Sequence, residues 1–218
     1  MRIIAFTDIH GSYKKIYEIL SKEADFHAII IGGDLTTYGS PREAEDAIAL
    51  FQTFKKPLFA VAGNMDPVEI EDSFEKLGVS INAKGIILDD VGFFGVSASP
   101  LSPLHTPYEI TEEEILRRAE MGLKDVAGSA WKIFVPHAPP RDTKLDRIFT
   151  GIHVGSSAVR KFIEAHQPDV GVCGHIHEAR GMDIIETTQM INCGPAGKGY
   201  YAVIEINEEV TVKMKEYH

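Results

Sequence analysis

Five short apolar runs in this chain each stop at a cluster in which aspartate, asparagine or histidine stands beside a glycine or proline. The clusters are Asp8-Ile9-His10-Gly11, Gly32-Gly33-Asp34, Gly63-Asn64-Met65-Asp66, Pro136-His137-Ala138 and Gly174-His175-Ile176-His177. A short apolar run bounded by turn residues reads as a buried strand. In open parallel α/β sheets, ligands collect outside the carboxyl ends of the strands. Side chains scattered from residue 8 to residue 177 are therefore expected to meet in one place.

The spacing between the clusters supports that layout. Residues 3–7, 28–31 and 58–62 read as strands. Residues 13–23 and 41–54 read as helices between them, with Ile16, Ile19 and Leu20 and then Ala44, Ala47, Ile48 and Phe51 at core spacing. Ser12 and Ser40 stand at the N-cap positions, and Pro41 takes the first helical position. This βαβα order predicts a parallel sheet covered by helices. Residues 86–88 and 92–97 read as a hairpin turning at Asp89-Asp90. Residues 97–108, with three prolines, read as a long loop, and Thr111 with Glu114 as a capping box opening a helix. Further strands are expected at 131–135, 170–173, 183–186, 190–192, 201–206 and 210–215, a helix at 156–166, and a loop-rich stretch at 136–155. One domain over residues 1–218, with two sheets face to face and helices outside, fits this order.

Composition narrows the partners. The 218 residues carry 22 Lys+Arg against 32 Asp+Glu, a formal net charge of -10, without basic clusters interleaved with aromatics; nucleic acid is an unlikely partner. The opening apolar residues are too few for a signal-peptide core, and no run approaches a membrane span, so a cytoplasmic protein is expected. Cys173 and Cys193 read as reduced, buried thiols, though their strands could be neighbours.

Carboxylate, imidazole and amide oxygen suit ions such as Mn²⁺, Fe²⁺ or Zn²⁺. Each cluster alone is ordinary: Gly-Gly-Asp makes turns, Asn64 suits a turn, and His137 could be a core imidazole. Their joint occurrence, each after a strand, is not. The set Asp8-x-His10, Gly33-Asp34, Gly63-Asn64, His137 and Gly174-His175-x-His177 resembles the calcineurin-like metallophosphoesterase superfamily. The stretch His137-Ala138-Pro139-Pro140, with Thr150-Gly151 and Gly155-Ser156, resembles its small prokaryotic branch. That resemblance implies an α/β/β/α sandwich with two mixed sheets. It also implies two divalent ions, Mn²⁺ first, with Fe, Zn or Ni as alternatives. Asp8, His10, Asp34 and His177 would hold one ion; Asp34, Asn64, His137 and His175 would hold the other, with Asp34 bridging. Asp34 and Asn64 are also the expected catalytic residues.

The chemistry implied is hydrolysis of a small phosphate ester, a phosphodiester before a monoester, by a hydroxide bridging the metals. Two divalent ions outweigh Asp8, Asp34 and that hydroxide by about one charge, a trap for an anion inside an acidic protein. One position departs from the family pattern. Many members carry a general-acid histidine after the asparagine, and here Met65 stands there, with no proton to donate. His105 and His153 are expected to be solvent-exposed rather than to replace it. Asp66 is expected to cap a helix near Pro67 or to steady a ligand imidazole. Glu178, Arg180, Arg141 and Lys144 are expected at the rim or in solvent. Substrate choice should lie in the loops 97–108 and 139–155. A metal-dependent nuclease, or a catalytically weak metal-binding scaffold fed by the loss of that histidine, are the alternatives.

Overall fold

The computed structural model describes residues 1–23 and 25–218. The chain runs β1 (Arg2–Phe6), α1 (Tyr13–Lys22), β2 (Ala28–Gly32), α2 (Pro41–Gln52), β3 (Leu58–Val61), α3 (Ile70–Lys76), β4 (Gly85–Leu88) and β5 (Val91–Val96). It continues with β6 (Ser99–Pro100), β7 (Glu109–Ile110), α4 (Glu112–Asp125), β8 (Trp131–Pro136), α5 (Ser157–His166), β9 (Val170–Cys173), β10 (Gly181–Ile185), β11 (Thr188–Asn192), β12 (Tyr200–Ile206) and β13 (Val210–Glu216).

One sheet has the order β13-β12-β1-β2-β3, the other β10-β11-β9-β8-β5-β4. Both are mixed: β1, β2 and β3 are parallel, as are β5, β8, β9 and β11, while β12, β13, β4 and β10 are paired antiparallel. Side-chain alternation then divides the core into layers. Ile3, Ala5, Ile30 and Val61 from the first sheet meet Phe93, Ile133, Val135 and Val172 from the second. Phe59 stacks on Phe93 across this interface, ring centroids 4.1 Å apart. The other faces of β1 and β2, with Ile4, Phe6, Ile29 and Ile31, pack under α1, α2 and α3. Phe94, Phe134 and Met190 of the second sheet pack under α4 and α5. The result is the expected four layers, α/β/β/α.

Local signals behave as expected with a few exceptions. Ser40, Thr111 and Ser156 cap α2, α4 and α5 through their hydroxyls, but the Ser12 hydroxyl makes no cap bond to α1. Seven-residue α3 is too short to present a helical stripe, and the sequence reading places only a helix near Pro67 there. The proline-rich loop includes β6, which pairs in parallel with β7 just past the loop's end, and the 136–155 stretch is irregular as expected. Cys173 and Cys193 are neighbours, with the Cys193 N–H donating to the Cys173 carbonyl at 3.2 Å. Their side chains enter opposite layers, so both are free, buried thiols. Among the described residues no helix is long and apolar enough to cross a membrane.

Candidate metal centre

Strands β1, β2 and β3 end side by side, and β8 and β9 end opposite them in the second sheet. The loops leaving these ends carry Asp8 and His10, Asp34, Asn64, His137, and His175 and His177. Four of these residues adopt left-handed backbone: φ is 52° at Asp8, 46° at His10, 50° at Asp34 and 68° at His175. Non-glycine residues adopt that region at a cost of about 1 kcal/mol or more, and such strain collects at functional sites. It turns each side chain back over the strand ends.

The seven side chains converge. Asp34 Oδ2 lies 3.6 Å from His10 Nε2 and 3.6 Å from His137 Nε2. His177 Nε2 lies 3.4 Å from Asp8 Oδ1 and 3.3 Å from His10 Nε2. Asn64 Oδ1 faces His137 Nε2 at 3.0 Å and His175 Nδ1 at 2.7 Å. Two overlapping groups have metal-ligand spacing: Asp8 with His10 and His177, and Asp8 with Asp34 and His137, the candidate ligand atoms in each lying within 4.8 Å of one another. Asp8 thus touches both groups, whereas the sequence reading gave it to one.

The donor chemistry fits cations. Asp8 Oδ2 is buried without a hydrogen-bond partner among the described residues. His137 Nδ1 faces the Gly32 carbonyl at 2.9 Å. A carbonyl only accepts, so in the neutral ring the proton sits on Nδ1 and Nε2 presents a lone pair to Asp34 and Asn64. Burial above all pushes the Asp34 carboxyl up, to about 7, with Asp8 and Asp66 adding to the push and His137 opposing it. Burial raises the Asp8 carboxyl too, but the hydrogen bond from His177 and the nearby imidazoles override it and hold the group at about 2. Burial holds His175 down at about 3, so its imidazole is neutral, as a ligand must be.

The glycines let backbone pass against the ligands. A Cβ on Gly33, where φ is 99°, would fall 2.2 Å from His137 Nδ1. One on Gly174 would fall 2.3 Å from Asp8 Oδ2.

The calcineurin-like phosphoesterase family matches residues 1–179 of this chain. The chain belongs to that family. As a calcineurin-like phosphoesterase it is a metal-dependent hydrolase of phosphate esters. It is 34% identical over 206 residues to an uncharacterized protein, MJ1162, of Methanocaldococcus jannaschii, covering 92% of this chain and 90% of that protein. Its fold is similar to that of TT1561 of Thermus thermophilus, with a TM-score of 0.76 at 15% identity, covering 99% of this chain and 98% of the other. It is also similar in fold to a predicted phosphoesterase from Streptococcus pneumoniae, with a TM-score of 0.51 at 13% identity, covering 99% and 88%.

This phosphoesterase has supporting residues that the sequence reading assigned otherwise or passed over. Asp66 neither caps α3, whose N-cap is Glu69, nor meets an imidazole. Its carboxylate accepts from the backbone of Leu35 at 3.0 Å, Thr36 at 2.7 Å and Gly63 at 2.9 Å, and from the Thr36 hydroxyl at 2.8 Å. It ties the Asp34 loop to the Asn64 loop. Thr37 Oγ1 contacts His10 Nδ1 at 2.8 Å and steadies that ring. Buried Asn192 holds the His175–His177 loop by donating to the carbonyls of Gly174 at 3.3 Å, Ile176 at 2.9 Å and Leu145 at 3.2 Å. Thr37 follows the Asp34 cluster and Asn192 ends a recognised strand, which is the signal that could have found them.

His105 is exposed, as expected. His153 is half-buried instead, with Nδ1 2.7 Å from Asp146 Oδ1. Arg180 is not a rim residue: it stacks on Tyr200 and donates to the Cys193 and Lys215 carbonyls. Arg141 and Lys144 are exposed, and Glu178 is exposed at the loop rim, accepting from the Phe149 N–H at 3.4 Å. Above this cluster opens a cleft of about 610 Å³, lined by His10, Asp34, Asn64, Met65, His175 and His177 below and by both expected specificity loops above.

Proposed function

We propose that this phosphoesterase is a dinuclear enzyme that hydrolyses a small phosphodiester. Asp8, His10, Asp34 and His177 would hold one divalent ion, and Asp34, Asn64, His137 and His175 the other. Mn²⁺ is the first candidate for these oxygen and imidazole donors, with Fe, Zn or Ni as alternatives. Such ions would lower the pKa of a bound water and offset charge on phosphate oxygens. The observation that carries this reading is the position of Asp34 Oδ2, equidistant at 3.6 Å from His10 and His137, one imidazole from each half.

The chain's own residues do the rest. The Gly32 carbonyl and Thr37 fix the ring orientations of His137 and His10, and Asp66 fixes the loops that carry Asp34 and Asn64. Partners of this kind, one shell out, set ligand geometry and basicity. Met65 lines the cleft beside Asn64 and offers no proton, so the leaving oxygen departs with its charge. A diester brings one negative charge to the site and a monoester nearly two. Among the described residues no Lys or Arg lines the cleft to meet the second, which favours the diester.

The test is metal content by elemental analysis combined with turnover of bis(p-nitrophenyl) phosphate and p-nitrophenyl phosphate in Mn²⁺. Two ions per chain and faster diester hydrolysis, both lost in Asp34→Ala, are expected. One ion per chain, or a faster monoester, would overturn it.

A further inference from the structure

The cleft above the ligands has polar residues on its floor and apolar residues on its walls. Met65, Leu101, Leu104, Ile148, Val154 and Ile176 face it. Leu104 is 81% exposed and Leu101 65%, and at the tip of the second loop Phe149 is 91% exposed. Large apolar side chains held in water are costly unless something covers them.

They are not there because the loops are slack. The Glu109 carboxylate gathers the first loop, accepting from the backbone of Ser102 at 3.0 Å and Thr106 at 2.9 Å and from both hydroxyls at 2.8 Å. Asp146 gathers the second, accepting from the backbone of Thr143 at 2.9 Å and Gly155 at 2.9 Å and pairing with His153. Each loop is therefore pre-formed, with its apolar side chains presented to the cleft. The wall's hydroxyls are already engaged: those of Ser102 and Thr106 donate to Glu109, and that of Ser99 to the Pro100 carbonyl at 3.3 Å. With no Lys or Arg in the lining among the described residues, a charged or sugar-like arm would find few partners there. A cavity of this volume is in the range of small-molecule sites.

We propose that this cleft receives an uncharged, apolar ester arm of the substrate, seated between the 97–108 and 139–155 loops with its phosphate on the ligand cluster below. The assignment rests on the phosphoesterase reading of that cluster. It concerns how tightly an arm is held, and is separate from how readily a leaving group departs.

Direct binding of non-hydrolysable phosphinates, which carry the single negative charge of a diester, to the Mn²⁺-loaded protein, by titration calorimetry, tests it. Dimethyl-, butyl(methyl)-, hexyl(methyl)- and (5-carboxypentyl)methylphosphinate are compared. Affinity is expected to rise about two- to fourfold per added methylene, the range for partial to full burial of a CH₂ group. The carboxypentyl compound is expected to bind at least tenfold more weakly than hexyl. In Leu101→Glu/Leu104→Glu the increment from methyl to hexyl should collapse, whereas in Ile184→Glu, an exposed apolar position on β10, it should persist. Dimethylphosphinate binding with no chain-length increment overturns the cleft assignment alone. Binding of Mn²⁺ without binding of any phosphinate overturns the phosphoester reading and the cleft assignment with it.

Discussion

Asn64 Oδ1 sits 3.0 Å from His137 Nε2, and the opposite nitrogen of that ring, Nδ1, faces the Gly32 carbonyl at 2.9 Å. In the neutral ring that arrangement sets lone pair against lone pair, and a cation held by both groups would relieve it. Metal binding should therefore stabilise the fold. At a free Mn²⁺ concentration of a hundred times Kd, binding to the folded state alone contributes about 2.7 kcal/mol, or a Tm rise of roughly 5–10 °C for a chain of this size. Thermal melts with Mn²⁺ and with EDTA measure it. An Asp34→Ala melt that still responds fully to Mn²⁺ would place the ion elsewhere.

The contact between Gly174 and Asp8 makes a sharper test of the geometry. A methyl group there would lie 2.3 Å from Asp8 Oδ2, the buried oxygen without a partner among the described residues. In Gly174→Ala the carboxylate must turn away or the His175 loop must lift. Mn²⁺ affinity should fall by at least tenfold while far-UV circular dichroism stays native. Unaltered affinity would show that Asp8 Oδ2 is not a ligand.

Asp66 shows how much of this centre is set by backbone rather than by ligands. Its carboxylate is fully buried and accepts from three N–H groups and one hydroxyl. Asp66→Ala strands those donors, and breaking a buried charged network typically costs about 3–5 kcal/mol. Urea denaturation should register that loss as a lower midpoint with an unaltered slope. A shift below about 1 kcal/mol would mean that water takes over the donors.

The converging cluster was legible because each member follows an apolar run that ends at a glycine or proline, and strand ends converge in this kind of sheet. The layers were legible for a related reason: alternation along β1 and β2 sends Ile3 and Ala5 one way and Ile4 and Phe6 the other. Thr37 and Asn192 were legible by place, beside a cluster and at a strand end, but neither they nor Asp66 were legible by role, because each acts on backbone or rings supplied by a different loop. Nothing beside Asp66 in sequence says that its partners are Leu35 and Thr36. Arg180 was misplaced for the same reason, since Tyr200 and Lys215 come from the far end of the chain. Spacing in the sequence likewise gives no sign that Asp8 comes close to both candidate groups, which depends on the turn at φ 52°.

Away from the centre, Glu23 joins the end of α1 to the first sheet, bonding Arg2, the Tyr201 hydroxyl at 2.7 Å and Lys215 at 2.8 Å. Burial works to raise its carboxyl, but these partners outweigh it and hold the group at about 2. With the folded value below the unfolded one, the unfolded chain binds the extra proton as pH falls. The contribution is therefore present above about pH 4.5 and lost as pH falls toward 2. Removing the charge in Glu23→Gln should cost about 1–3 kcal/mol at pH 7. Near pH 2 the variant and the parent should converge. A gap that persists at low pH would assign the effect to packing rather than charge.

Met65 sets the last expectation. A general acid beside the scissile bond is typically worth about 10²–10⁴-fold, and the gain is largest for leaving groups that depart poorly as anions. Met65 cannot supply that proton; of the two histidines in the loops above the cleft, His153 is paired with Asp146 and His105 is exposed to solvent. Turnover should therefore fall steeply as leaving-group pKa rises, with aryl esters cleaved well and alkyl esters poorly. In Met65→His, an imidazole would stand next to Asn64 at the cleft floor. Alkyl esters should gain about 10- to 100-fold relative to aryl esters, flattening the plot of log kcat against leaving-group pKa. A parent enzyme with a flat plot already has an acid, and a variant with the parent's slope has its imidazole out of reach of the departing oxygen.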